Sequence, residues 1–178
     1  MMVIAREALR QIADAAEAAY PGECCGLLVG RRHANGTVEA VRAHASANLR
    51  KQNRQFEIDP RLWVDLARAL GKGPMKIVGL YHSHPDGPAQ PSAIDLEAAW
   101  GEELVWLIVS VAGSEGEEPG RGQAVQVTAH ILDHGGRQFR ELPLRTADWH
   151  VSPSRTLPED TEEKGDGTKG EGAEGEAT

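Results

Sequence analysis

The chain has 178 residues, of which 40% are hydrophobic and 4% aromatic, and its net charge is −8 at pH 7. This length suits one domain with an appendage, and the aliphatic content is sufficient for one hydrophobic core. The acidic balance, without a basic stripe, argues against a nucleic-acid partner, and the lack of any apolar window of about 20 residues argues against a membrane-spanning helix.

The first predicted elements are a helix and a hairpin. Apolar residues recur at helical spacing near the N-terminus, and the set is Ile4, Ala8, Ile12, Ala16 and Ala19. Pro21 ends this helix, and the apolar run at residues 25–29 predicts a buried strand. Residues 37–44 alternate in polarity and should pair with that strand through an Asn-Gly turn at residues 35–36.

The middle of the chain predicts a second helix between two strands. Phe56 and Ile58 indicate a short strand after a polar segment. Asp59, as the N-cap, and Pro60, at the first helical position, then begin a helix that ends at a pair of glycines. Residues 75–81 form an apolar run that is typical of a buried strand.

Four further elements follow that strand. A helix runs from Ser92 to about Trp100, and residues 104–111 form a strand whose two faces are both apolar, so it should be central. Residues 125–132 and 137–142 predict the last two strands. The order of elements indicates an α/β fold with one mixed sheet flanked by helices.

Composition divides the chain into a folded part and a tail. From about residue 152 apolar residues nearly vanish, and residues 151–178 carry eight acidic and three basic side chains. Such a segment cannot offset its ordering entropy by burial. We therefore predict a domain at residues 1–145 and a disordered acidic tail, rich in glycine and glutamate, at residues 146–178.

The strand at residues 75–81 leads into a set of metal-ligating side chains. His82 and His84 are two residues apart, so on a strand their side chains point to the same face. Asp95 follows eleven residues after His84, with Ser92 three residues before it. Two imidazoles and a carboxylate make a complete three-ligand set for a catalytic zinc ion.

Each half of this pattern also has a structural interpretation. A lone His-x-His on a strand is weak evidence for a metal, and Ser92 with Asp95 is equally the start of a helix that the serine caps. The two interpretations are compatible, because a helix that begins at Ser92 would hold Asp95 rigidly in its first turn. The joint pattern is more specific than either half.

This joint pattern resembles the signature of the JAMM, or MPN-plus, metalloproteases. Residues 20–30, with the sequence YPGECCGLLVG, are similar to the glutamate-bearing segment of the compact prokaryotic form of that family. The resemblance covers residues 3–142 and implies the cytidine-deaminase-like sandwich of the JAB/MPN proteins.

The resemblance also implies a role for each residue of the motif. His82, His84 and Asp95 would hold one zinc ion per chain, Glu23 would be the general acid and base, and Ser92 would stabilise the tetrahedral intermediate. From the residues alone, Glu23 could equally be a solvent-facing glutamate at the end of the first helix, and Ser92 could be only a helix cap.

A zinc-dependent hydrolase of peptide or isopeptide bonds is the function that the resemblance implies. Its substrate would be a ubiquitin-like or sulfur-carrier protein, cleaved after the C-terminal Gly-Gly. Zinc with three protein ligands keeps a fourth position for water and lowers the pKa of that water towards neutrality. Glu23 would take the proton and pass it to the leaving amine, while the Ser92 hydroxyl would donate to the oxyanion.

Two other functions remain open, and one is excluded. A non-haem iron enzyme also uses two histidines and one carboxylate, and Glu23 and Ser92 would then be incidental. A non-catalytic scaffold of the MPN type is disfavoured, because such relatives typically lack the ligands that this chain keeps. A zinc deaminase of the cytidine type is excluded, because no Pro-Cys-x-x-Cys occurs.

The remaining cysteines and histidines predict no further chemistry. Cys24 and Cys25 are neighbours, where a disulfide would be strained, and with no secretory signal the cytoplasm is the expected compartment. Cys25 lies in an apolar run and should behave as a small hydrophobic residue. The histidines at positions 33, 44, 130, 134 and 150 have no ligand spacing and are expected on the surface or in turns.

Overall fold

The computed structural model describes residues 1–50, 55–113, 122–133, 135 and 138–148. Within these ranges the chain forms three helices and eight strands. In chain order they are β1 (Met2–Ala5), α1 (Arg6–Ala19), β2 (Cys25–Arg32), β3 (Val38–Ser46), α2 (Pro60–Leu70), β4 (Lys76–Pro85), α3 (Ala93–Ala98), β5 (Val105–Gly113), β6 (Gly122–Leu132), β7 (Phe139–Leu142) and β8 (Leu144–Ala147). None of these helices has the length and apolar content that crossing a bilayer requires.

All eight described strands belong to one sheet, in the order β7-β6-β5-β4-β2-β3-β1-β8. β1 pairs in parallel with β3 and β8, and β4 pairs in parallel with β5. The other neighbours are antiparallel. The first seven residues of β5 are buried, which agrees with the central position predicted from its two apolar faces. The predicted mixed sheet with flanking helices is confirmed.

Helices cover both faces of this sheet. The buried residues of α1 pack on one face together with residues of β1 and β5. On the other face, Leu66 of α2 packs with Leu80 of β4 and Trp106 of β5. Because side chains alternate along a strand, His82 and His84 lie on the same face of β4 as Leu80.

The hairpin of β2 and β3 is confirmed, with an antiparallel register. In the turn that joins these two strands, Gly36 has a φ of 80°, a left-handed conformation that glycine adopts without steric cost. The other edge of β2 pairs antiparallel with β4, where Cys25 lies opposite His82. The segment just before β2 is therefore brought beside the histidines.

The first helix begins later than the spacing of apolar residues predicted. Met2 and Ile4 are completely buried in β1, and α1 starts at Arg6, so the assignment of Ile4 to the helix was wrong. A four-residue strand that buries Ile4 gives the same apolar signal as the first turn of a helix. The short strand β8 was not predicted for a similar reason, since four residues are too few to reveal an alternation.

The segment before α2 does not form the predicted strand. A single isolated bridge joins Asn48 to Ile58, because the chain turns into the helix directly afterwards. The predicted helix start is confirmed: Asp59 is the N-cap and Pro60 is the first helical residue.

The C-terminal strand crosses the predicted end of the domain at residue 145. β8 continues to Ala147 and pairs with β1, and Asp148 forms an ion pair of 2.5 Å with Arg6. The prediction of disorder for the acidic tail from residue 149 onwards lies outside the described residues.

Candidate metal centre and active site

The end of β4 brings two imidazoles together. The Nε2 atoms of His82 and His84 are 3.0 Å apart, and His82 is completely buried. The two nitrogens therefore face one point, as the spacing on the strand predicted.

α3 delivers a carboxylate to the same point. The Ser92 hydroxyl accepts a hydrogen bond from the Asp95 N–H, and the Asp95 carboxylate accepts one of 2.6 Å from the Ser92 N–H. This capping box fixes Asp95 in the first turn. Its oxygens lie 3.1 Å from Nε2 of His82 and 3.3 Å from Nε2 of His84. The helix-cap interpretation and the ligand interpretation hold together, since the cap aims the carboxylate.

The three side chains fit a metal ion. Their donor atoms all lie within 4.8 Å of one another, and among the described residues they form a group with the geometry to hold one. Asp95 is only 4% exposed, and a carboxylate is costly to bury unless cations or hydrogen-bond donors compensate it. Two nitrogens and one carboxylate oxygen are donors that zinc and other divalent transition metals accept.

The protonation states of two of these groups also suit metal binding. Burial lowers the pKa of His82, which favours the neutral imidazole, the form that ligates metals. Burial alone would raise the pKa of Asp95, but hydrogen bonds with His82 and His84 outweigh it and lower that pKa below its usual range. The carboxylate is therefore ionised.

Different neighbours orient the two imidazole rings. His84 Nδ1 lies 2.9 Å from the Pro88 carbonyl oxygen. In contrast, His82 Nδ1 is buried without a hydrogen-bond partner in the described part of the chain. Its ring stacks on Phe56, with centroids 4.2 Å apart and planes 18° apart, and it meets the edge of Trp106. Nothing in the sequence pattern indicated this role of Phe56.

Two hydroxyl groups fix the loop that carries Pro88. Ser110 Oγ donates to the Gly87 carbonyl at 2.5 Å, and Thr128 Oγ1 donates to the Ala89 carbonyl. His130 Nε2 lies 2.9 Å from Thr128 Oγ1. His130 is 3% exposed, so the expectation of a surface or turn position was wrong for it, because β6 turns its side chain towards this loop.

The pairing of β2 with β4 places Glu23 near the histidines. The Cys24 N–H donates to Ser83 Oγ at 2.9 Å, and the Ser83 N–H donates to the Cys24 carbonyl at 3.1 Å. Glu23 directly precedes this ladder and is 8% exposed. Its side chain is therefore buried rather than solvent-facing.

Glu23, His84 and Ser92 line one cavity of about 340 Å³. Burial raises the pKa of Glu23 to about 7, a change that His84 opposes and Asp95 reinforces. A carboxyl group with such a pKa exchanges protons readily near neutral pH. The structure thus brings the five residues singled out in the sequence into one region.

The cysteines beside Glu23 are free thiols. Burial raises the pKa of Cys24 to about 11 and that of Cys25 to about 12. Because the thiolate is the nucleophilic form, neither is suited to nucleophilic catalysis, as predicted for Cys25.

The fold and this site define an α/β protein with an internal His-His-Asp group beside a buried glutamate. A family profile described as prokaryotic homologs of the JAB domain matches residues 5–126. The match covers more than half of the chain, so the chain belongs to this family, as the resemblance of its motifs implied.

Individual relatives agree with this assignment. The chain is 36% identical over 125 residues to a desampylase of Haloferax volcanii, which covers 70% of this chain and 78% of that protein. It is 33% identical over 81 residues to a probable TtuB-protein conjugate cleaving protease of Thermus thermophilus, with coverages of 45% and 51%. The solution structure of a Desulfitobacterium hafniense protein superimposes with a TM-score of 0.67 at 27% identity, covering 84% of this chain and 94% of that one.

Proposed function

We propose that this protein is a zinc-dependent isopeptidase that cleaves the bond after the C-terminal Gly-Gly of a ubiquitin-like or sulfur-carrier protein. The observation that carries the proposal is the convergence of the His82, His84 and Asp95 donor atoms next to the cavity that Glu23 enters. The relatives named as a desampylase and a conjugate-cleaving protease support the substrate class.

His82, His84 and Asp95 would hold the zinc ion. A zinc ion with three protein ligands supplies a Lewis acid and a hydroxide source at neutral pH. The protein contributes the rigid frame, because β4 fixes the two imidazoles and the capping box of α3 fixes the carboxylate.

Glu23 would move the proton. With a pKa near 7, its carboxylate can accept a proton from the attacking water and then release it to the leaving amine. Both transfers require a group whose pKa is near the working pH. The position of Glu23 in the same cavity as His84 supports this role.

Ser92 would stabilise the negative charge that develops on the carbonyl oxygen. Its oxygen accepts the Asp95 N–H, which leaves the hydroxyl hydrogen available for donation. A donor fixed by a helix cap is oriented before the reaction begins, and this is the property that oxyanion stabilisation requires.

The non-haem iron alternative gives no role to two of these residues. It would use His82, His84 and Asp95 alone, whereas Glu23 and Ser92 line the same cavity as His84. This clustering favours hydrolysis.

We propose the cytoplasm as the compartment of this protein. Its two neighbouring cysteines are free thiols, which suits a reducing environment.

The first test measures metal content and cleavage together. Purified protein is analysed for metals and is incubated with a sulfur-carrier protein extended beyond its Gly-Gly end. We expect one zinc ion per chain and cleavage after Gly-Gly that a chelator abolishes. Iron in place of zinc, or zinc without cleavage of any Gly-Gly conjugate, would contradict the proposal.

The second test separates proton transfer from metal binding. Glu23→Gln keeps the size of the side chain but removes the titrating group, so we expect kcat to fall by roughly 10²–10⁴-fold with zinc content unchanged. Glu103→Gln, at an exposed position near the start of β5, is the control and should keep full activity. Full activity of Glu23→Gln would remove Glu23 from the mechanism.

A further inference from the structure

Asn48, two residues after the end of β3, uses its whole carboxamide in hydrogen bonds to the backbone. Its Nδ2 donates to the carbonyl oxygens of Glu23 and Gln55, each at 3.0 Å. Its Oδ1 accepts from the N–H groups of Arg50 and Glu57, each also at 3.0 Å. A carboxamide has two donor hydrogens and two acceptor lone pairs, and here all four are used.

One side of this network holds Phe56. The residues on either side of it, Gln55 and Glu57, are both bonded to the Asn48 side chain. The Phe56 ring stacks on His82, whose Nδ1 has no hydrogen-bond partner in the described residues. Metal-binding histidines are usually oriented by a hydrogen bond from their other ring nitrogen. In this site the stacked Phe56 ring orients the His82 ring instead.

The other side of the network holds the backbone of Glu23. Its carbonyl accepts from Asn48, while the next residue, Cys24, is paired with Ser83 of β4. The backbone of Glu23 is therefore fixed from both directions, and its side chain has a defined entry into the cavity with His84.

We infer that Asn48 is a positioning residue, whose carboxamide joins the backbone of Glu23 to the segment that places Phe56 against His82. A single side chain thereby sets the relative positions of the proton-transfer group and one metal ligand. This inference rests on the proposed function for the roles of Glu23 and His82.

The test compares Asn48→Ala with Asn35→Ala. Asn35 is a matched control, because its Oδ1 also accepts a backbone N–H, that of Thr37 at 2.9 Å, but it lies in the exposed turn between β2 and β3. Zinc affinity is measured by competition with a chromophoric chelator. For Asn48→Ala we expect the zinc dissociation constant to rise about tenfold, and for Asn35→Ala we expect no change.

Turnover at saturating zinc reports on Glu23. A displaced proton-transfer group slows the chemical step without weakening substrate binding, so kcat of Asn48→Ala should fall about tenfold while KM stays constant. A general loss of folded protein would reduce the active fraction but would not weaken zinc binding by the folded molecules. Should Asn48→Ala fail to fold, Asn48→Asp serves instead, because it keeps the acceptor oxygen and loses both donor bonds.

A double-variant cycle with Phe56→Leu identifies the route of the effect on zinc. If Asn48 acts on His82 through Phe56, the loss of zinc affinity in the double variant is smaller than the product of the two single losses. The kcat defect of Asn48→Ala persists in the double variant, because Glu23 is reached by a separate hydrogen bond. Independent, multiplicative losses of zinc affinity would overturn the inference.

The failures of the two ideas are distinguishable. An unaltered chain that binds no zinc overturns the proposed function and this inference together. An unaltered chain that binds zinc, with Asn48→Ala equal to Asn35→Ala in zinc affinity and kcat, overturns this inference alone. The zinc measurement needs no substrate, so it stands whatever conjugate the protein cleaves.

Discussion

His82 and His84 lie on the same strand and face the same point, but different parts of the molecule orient their rings. The His82 ring is completely buried and is held by Phe56 and Trp106, with no hydrogen bond to its Nδ1 in the described residues. The His84 ring is partly exposed and is held by the Pro88 carbonyl. One ligand thus depends on packing, and the other depends on hydrogen bonds.

The contacts that orient His82 involve the hydrophobic core, whereas those that orient His84 involve a loop held by hydrogen bonds. Phe56 packs against the core cluster under α2 that contains Leu80 and Trp106, so the position of His82 is tied to the packing of that core. The loop at Pro88 is held by hydroxyl groups from β5 and β6. Its position depends on polar contacts with residues that lie outside that cluster.

This difference has a thermodynamic consequence. Removing a ring from the core costs packing energy as well as ligand orientation, whereas removing a hydroxyl from the loop contacts costs mainly orientation. Substitutions on the His82 side should therefore lower stability and metal affinity together. Substitutions on the His84 side should lower metal affinity with a smaller change in stability.

The largest effect is expected at Asp95, whose carboxylate contacts both rings. Asp95→Asn removes the charge and replaces one oxygen by a donor nitrogen, so zinc binding and cleavage should both be lost. Asp65→Asn, on the exposed face of α2, is the control and should leave both unchanged. Zinc retained at one ion per chain in Asp95→Asn would show that the two histidines suffice and that Asp95 is not a ligand.

The ligand side of the site could be predicted from sequence because its determinants are local. A strand places His82 and His84 on one face whatever surrounds it, and a capping box places Asp95 relative to Ser92 within four residues of chain. These short-range rules give the three donors. The position of Glu23 relative to them needed the family resemblance, because it depends on how β2 pairs with β4.

The supporting residues could not be predicted, because they depend on contacts between distant parts of the chain. Phe56 follows no motif, and its contact with His82 exists only once the segment before α2 packs on the face of the sheet that carries His82. Asn48 is one polar residue in an irregular segment until its amide meets Glu23, which lies 25 residues earlier. No signal in the sequence indicated that His130 is buried, because the loop beside it follows β4 and is distant from His130 in the chain.

The next largest effect should follow removal of the Phe56 ring. Phe56→Ala should weaken zinc binding by up to about a hundredfold, because Phe56 stacks face to face on the His82 ring, whereas Trp106 meets only its edge. It should also lower the free energy of unfolding by roughly 2–3 kcal/mol, less than for a fully buried phenylalanine because Phe56 is partly exposed. Chelator competition and thermal unfolding measure the two quantities.

Phe139→Ala separates the two consequences. Phe139 packs against the same Trp106 ring, with centroids 5.2 Å apart, but it belongs to β7 and has no ring contact with His82 among the described residues. It should lower stability by a similar amount while zinc affinity stays near that of the unaltered chain. Equal losses of zinc affinity in both variants would mean that general loosening of the core, and not the Phe56 stack, weakens His82.

The smallest effects are expected on the His84 side. Ser110→Ala removes the donor to the Gly87 carbonyl, but Thr128 still holds the Ala89 carbonyl two residues further along. Zinc affinity should therefore fall tenfold or less, with little change in the melting temperature. Thr128→Val should behave in the same way, because it leaves the Ser110 contact in place.

Removing both hydroxyls tests whether the loop is the link to His84. In Ser110→Ala/Thr128→Val both hydroxyl contacts are lost, so the loop holds the Pro88 oxygen against His84 Nδ1 less firmly. The zinc dissociation constant should then rise by more than the product of the two single effects, since each hydroxyl compensates for the loss of the other. Thr146→Val, on the exposed strand β8, is the control without effect. Strictly multiplicative losses would mean that each hydroxyl acts separately, without compensating for the other. No loss of zinc affinity in the double variant would mean that His84 is oriented by β4 and not by the loop.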